Sequence, residues 1–208
     1  VYESDGYTLA GILIGGVLLP GLTEETIDYY PVALPDGGTC NRATVCSTPQ
    51  CGTAVSLYAR PVLDALPASA RVTVAELNPV IVGWCRGPIA DLTARAVDDP
   101  RVTVAIIDFS DALRAAAGSA HRLDAIVIDL YVGPDNDTRA ADPLYGTRAC
   151  EQAFTSLRPG GVFAIWAEAY HESYAKRLAA AGFSVTYERP AKGNRRFVVY
   201  LATKPSRG

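Results

Sequence analysis

Three carboxylates fall at the ends of three successive apolar runs: Glu76 in VAELNP, Asp108 in AIIDFSDAL and Asp129 in VIDLYVGP. A single acid in such a place can simply cap the helix that follows, since its oxygens accept the first free N–H groups. Three in consecutive runs, in this order, favour one shared pocket. Glu76 follows the loop around Gly52 at a spacing that suits a nucleotide-like ligand: the carboxylate accepts from both ribose hydroxyls while the loop lets backbone approach. Asp108 can accept from an adenine amino group. Asp129 would then stand beside the reacting centre.

Such a pocket needs strands whose carboxyl ends share one edge, and the pattern supplies them. From Ala43 onward strands and helices alternate. ATVC, RVTVAEL, RVTVAIID, LDAIVIDLY and VFAIWAE read as strands separated by helical stretches. After the helix HESYAKRLAAAG, the strands FSVTYERP and RRFVVYLAT close the chain as a hairpin. The helix after Pro79 should break near Gly87-Pro88, and RPGG at 158–161 should turn the chain before VFAIWAE. The runs are nearly continuous in Val, Ile and Ala, as expected when helices cover both faces of a sheet. The expected fold is therefore α/β, a doubly wound, mostly parallel seven-stranded Rossmann-like sheet. In such sheets ligands bind beyond the carboxyl ends of the strands.

Before Ala43 the reading differs. YTLAGILI and VLLPG look like two short strands joined by Gly15-Gly16, a small β-hairpin appendage. ETIDYYPVAL reads as a helical turn broken by Pro31, and LPDGGTCN as a loop. The boundary is drawn there, with an appendage over 1–38 and the main domain over 39–208.

Bulk properties narrow the function. Hydrophobic residues make up 49% and charged residues 20%, a globular balance. Net charge is −3 with Lys and Arg scattered, so no nucleic-acid partner is expected. The run LAGILIGGVLLPGL is interrupted by Gly and Pro and is too short for a comfortable membrane span; without a basic flank it does not read as a signal peptide either. Five cysteines, an odd number, argue for a reducing cytoplasm rather than a disulfide framework. Cys40, Cys46 and Cys51 are spaced too widely for an ordinary zinc site, and no metal is expected. Cys51 at a helix N-terminus is a conceivable nucleophile, with free thiols the default. His121 is expected in a solvated turn, and His171 at a helix N-terminus in solvent on the functional edge. Trp84 and Trp166 suit core or pocket walls equally.

VAELNPVIVGW resembles the VEIDPxVV pattern of class I S-adenosylmethionine enzymes. DDPRVTVAIIDFSDAL, LDAIVIDLYVGP and LYGTRACEQAFTSLRPGGVFAIW together resemble the spermidine synthase family, the polyamine aminopropyltransferases. VYES, VLLPG and EETIDYY are similar to that family's small β-domain. The resemblance implies a class I methyltransferase-type sheet in a cytoplasmic enzyme of polyamine biosynthesis. It implies Glu76 on the ribose, Asp108 on the adenine and Phe109 against the base. It implies Asp129 as the carboxylate that orients or deprotonates an attacking amine, with Tyr145 in the same pocket. The cofactor would be S-adenosylmethionine or its decarboxylated form, and Gln50 and Gly52 would lie by its tail. The group transferred would be aminopropyl or methyl, and the acceptor a small amine or metabolite; a homodimer is left open.

Three positions depart from the family pattern. Its GGGDGG loop is here STPQCG, its second acid is here Val132, and the glutamine after its N-terminal tyrosine is here Thr8. Pro49 lacks an N–H donor, and Thr48, Pro49 and Cys51 carry side chains where backbone should approach the ligand. The loop is expected to be degraded or reshaped, with weak or absent binding of S-adenosylmethionine. A non-catalytic relative that acts by binding or assembly is therefore the alternative.

Overall fold

The computed structural model of the chain describes residues 8–9, 31–33, 39–41, 60, 62–91, 93–128, 133–189 and 197–206. They form helices, a two-stranded pair described below and two larger sheets. The first has the order β1-β4-β5, all parallel: β1 (Thr8–Leu9), β4 (Arg71–Glu76) and β5 (Val102–Ile106). The second has the order β6-β7-β9-β8: β6 (Leu123–Ile128), β7 (Leu157–Ala167), β9 (Val198–Thr203) and β8 (Ser184–Glu188). β6 and β7 are parallel, while β9 runs antiparallel to both β7 and β8. β1 also runs close to β6.

The strand sequences explain the layers. In β6, Ile126 and Ile128 enter one buried cluster and Val127 another; in β7, Phe163 and Ile165 join the first and Ala164 the second. Successive side chains of a strand point to opposite faces, so both faces of this sheet are covered. The first cluster is closed by α2 (Phe109–Gly118), α3 (Thr147–Ser156) and α4 (Glu172–Ala180) through Phe109, Leu113, Ala149, Ala153, Tyr174 and Leu178. Each fully buried large side chain stabilises the fold by roughly 1.5–3 kcal/mol. The second holds Val62 and Leu63 from the helical turn at 62–65 with Val72 and Val74 of β4.

Helix α1 (Pro79–Arg86) begins where expected, with Pro79 in its first turn and the Asn78 side chain accepting from the Val80 N–H at 3.0 Å. It ends at Gly87, whose N–H bonds the Trp84 carbonyl, so the break predicted near Gly87-Pro88 is present.

Two local expectations are corrected. Residues 31–41 were read as a broken helical turn followed by a loop. Instead β2 (Pro31–Ala33) pairs antiparallel with β3 (Thr39–Asn41). Pro and Gly between two short runs are turn chemistry, which favours a ladder around them over a helix. RPGG does not turn the chain ahead of β7 but lies inside it. The register jumps from Leu123↔Leu157 to Ala125↔Val162, and Gly160 takes φ +79°, open to glycine at little cost. The Gly160 N–H then donates to the Lys204 carbonyl and the Lys204 N–H to the Gly161 carbonyl, which keeps the bulge in the sheet. The predicted hairpin at Gly15-Gly16 lies outside the described residues. Thr8–Leu9, from its first run, pairs in parallel with β4.

Candidate functional site

Glu76 is the last residue of β4 and only 6% exposed. Its Oε1 accepts the Asn78 N–H at 2.7 Å, so the carboxylate also shapes the turn into α1. Burial pushes its pKa up, against the pull of the Asn78 and Leu77 N–H groups. A carboxylate held partly desolvated at a strand end is kept at a cost, which makes Glu76 a candidate binding residue.

Glu76 is in register with Ile106 of β5, and the Ile107 N–H extends the ladder to the Glu76 carbonyl. Asp108 follows on that neighbouring strand end. It is the N-cap of α2: Oδ1 accepts from the Ser110 N–H at 2.8 Å and the Ser110 hydroxyl at 2.6 Å. The Ser110 hydroxyl, ahead of the backbone N–H groups of the helix start, holds its pKa down. The capping role is therefore real for Asp108, and Oδ1 is committed to it. Beside the two acids lie two strongly exposed apolar residues, Leu77 at 64% and Ile106 at 52%. Leu77 was not among the expected site residues, although an apolar residue directly after a strand-end acid was the available signal.

Phe109 and Tyr145 are both buried in the first core cluster. Tyr145 meets Tyr174 edge-to-face at 6.0 Å, and its backbone N–H donates to Asp142 Oδ1. Asp129, Gln50 and Gly52 lie outside the described residues, as does the STPQCG loop.

The segment after β6 is described from Gly133. Gly133 has φ +65° and lies against the Trp166 carbonyl; a Cβ there would sit 2.7 Å from Ala167 Cα. Asp135 closes the next turn: its Oδ1 accepts the Thr138 hydroxyl and the Asp137 N–H, and the hydroxyl holds its pKa down. Arg177 of α4 donates to the Thr138 and Tyr145 carbonyls at 2.9 and 3.0 Å. His171 is the N-cap residue of α4 and half-buried, and its Nδ1 lies 2.9 Å from Asn136 Oδ1. It was expected free in solvent. His121 is exposed, as expected.

Cys85 and Cys150 are buried thiols held in no disulfide, and burial pushes Cys150 up to about 11, too high for a nucleophile. Trp84 packs partly buried against a core cluster, and Trp166 faces Phe197 at 5.4 Å. Among the described residues no three His, Cys, Asp or Glu side chains gather as a metal site, and no helix is long and apolar enough to cross a membrane.

No family model matches the chain. The polyamine aminopropyltransferase of Mycobacterium tuberculosis is 30% identical over 126 residues, which cover 58% of this chain and 24% of that protein. That of Corynebacterium efficiens is 36% identical over 91 residues, 44% of this chain and 17% of that protein. The spermidine synthase of Thermotoga maritima superposes with a TM-score of 0.51 at 19% identity, covering 73% of this chain and 51% of that one. The chain has a spermidine synthase-like fold. A spermidine synthase solved with the transition-state analogue AdoDATO gives a TM-score of 0.50 at 18% identity, over 73% of this chain and 50% of that one. The chain thus spans about a quarter of the length of the curated relatives it matches and about half that of the solved spermidine synthases. Within this fold, Glu76 and Asp108 occupy adjacent parallel strand ends, where α/β sheets bind ligands.

Proposed function

We propose that this chain carries the adenosyl-binding domain of a transferase that moves an aminopropyl or methyl group to a small amine or metabolite. The buried, strand-end carboxylate of Glu76 carries this reading. Glu76 would accept from the ribose hydroxyls, Leu77 would offer its exposed face to the flat base, and Asp108 would take the adenine amino group on its free oxygen. Phe109 and Tyr145 would back the pocket wall from the core. Asp129 would hold the attacking amine, and Gln50 and Gly52 would lie by the tail of the donor. S-adenosylmethionine or its decarboxylated form supplies the activated carbon on a sulfonium; the residues here bind, orient and exclude water.

The sequence of the first loop bears on affinity. STPQCG offers fewer backbone N–H groups and more side-chain bulk than GGGDGG, so binding should be micromolar or weaker, about −8 kcal/mol at best. Calorimetric titration with S-adenosylmethionine, its decarboxylated form, methylthioadenosine and S-adenosylhomocysteine tests the proposal. Heat with at least one of the four, lost in Glu76→Ala, supports it. No binding to any of the four, even after STPQCG is replaced by GGGDGG, would rule it out.

A further inference from the structure

His171 and Asn136 come from two neighbouring places on the sheet edge. Asn136 lies on the segment after β6, and His171 just past the end of β7, its parallel partner. An amide oxygen can only accept, so the ring nitrogen 2.9 Å from Asn136 Oδ1 carries the proton. The neutral imidazole then has its lone pair on Nε2. No partner for Nε2 is present among the described residues.

Both halves are held from behind. The His171 N–H donates to the Tyr200 hydroxyl at 2.6 Å, and that hydroxyl reaches back to the His171 carbonyl at 3.3 Å. Tyr200 itself is fully buried. Asn136 sits inside the turn closed by Asp135 and Thr138. Arg177 binds that turn to the same helix that His171 begins, and Gly133 seats its entrance on β7. Two residues 35 apart in sequence are thus fixed in one orientation. A surface pair of no consequence would not need so many supports. A base must be oriented by its second contacts before it can act, and this arrangement provides them.

We propose that His171 is the proton acceptor of the transfer reaction, with Asn136 as the positioning residue that fixes its tautomer. This rests on the transferase reading above. In the step, the lone pair of an amine N–H nucleophile attacks the carbon bound to the donor's sulfonium. The new N–C bond forms as the C–S bond breaks, and the sulfur keeps that electron pair and leaves as a neutral thioether. The proton shed by the nitrogen passes to Nε2. The resulting imidazolium still donates from Nδ1 to Asn136 Oδ1.

The test uses the full chain. Nitrogen-15 spectra of the neutral ring should show Nδ1 protonated and Nε2 bare, with His171→Gln assigning the signals against His121. Asn136→Ala should lose the fixed tautomer, and Asn136→Asp, which keeps an acceptor, should retain it. Donor binding is titrated separately, and transfer is measured with both donors and a panel of small primary amines. His171→Gln should lower kcat about 10²-fold or more with the donor KM unchanged. Asn136→Ala should give a smaller loss that Asn136→Asp restores. An Nε2-protonated ring in the native chain would overturn the proposal, as would native turnover in His171→Gln. Donor binding with no transfer to any amine would overturn it too. A chain that binds no donor, even with STPQCG replaced by GGGDGG, would instead refute the transferase reading, and the role of His171 with it.

Discussion

Glu76→Gln separates the cost of a buried charge from its use. The carboxylate is 6% exposed, with one oxygen on the Asn78 N–H, and burial outweighs that bond in raising its pKa. For a carboxyl group a raised folded pKa means that ionisation is harder in the folded chain than in the unfolded one. The stability it contributes is complete below the unfolded pKa of about 4.3 and is lost as pH rises through the folded value. At pH 7.5 the native chain therefore carries a penalty that glutamine, nearly the same shape and still an acceptor for Asn78, does not. The Gln variant should be at least as stable as the native chain at pH 7.5, with its advantage shrinking toward pH 4. Glu76→Ala behaves differently. It leaves the Asn78 N–H without its acceptor, about 1 kcal/mol at this half-buried site, and removes about 0.8 kcal/mol of methylene burial. With a urea slope of about 2 kcal/mol/M, its midpoint should fall by about 1 M. Both variants should lose about 1.5–3 kcal/mol of adenosyl binding, the worth of a charge-assisted bond, or about 10- to 150-fold in Kd. Urea melts at the two pH values and calorimetry supply the numbers. A Gln variant less stable than native by more than about 1 kcal/mol at pH 7.5 would show that the charge is stabilised in the fold and the argument is wrong.

Gly133→Ala should destabilise the chain by about 2 kcal/mol or more, since φ is +65° and the new Cβ would press on the Trp166 carbonyl and Ala167; a native-like thermal midpoint would count against it. Lys204→Met removes a cap on the end of α3, where Nζ donates to the Phe154 and Leu157 carbonyls at 2.7 and 2.8 Å. It should cost about 1–2 kcal/mol in urea, and an unchanged midpoint would mean water replaces it without loss. Asp99→Asn probes the opposite sign from Glu76. Hydrogen bonds from Arg101, with added charge from Arg60, hold the Asp99 pKa far down, so its stability is present above about 3.9 and lost as pH falls below that. The Asn variant should be weaker at pH 7 and show a flatter acid limb; parallel curves would contradict the assignment.

Much of this protein could be read from its sequence because the signals are local. The nearly continuous runs of Val, Ile and Ala mark β4 through β7, Pro79 and Asn78 mark the start of α1, and Gly87 marks its end, since each acts through its own backbone or its nearest neighbours. The strand-end acids were visible for the same reason, but their roles were not. Whether Glu76 is desolvated and Asp108 spends an oxygen on Ser110 depends on what the neighbouring strand and helix bring to each. RPGG carries clear turn chemistry, yet the sheet absorbs it as a bulge because Lys204, from the last segment, supplies the backbone partners. The His171–Asn136 pair was invisible. Neither residue carries a spacing signal, and only the packing of α4 on the segment after β6, stapled by Arg177, brings an imidazole within hydrogen-bond distance of an amide 35 residues away. Local propensity is written in consecutive residues, whereas the charge state and orientation of a site depend on contacts that exist only once distant segments have packed.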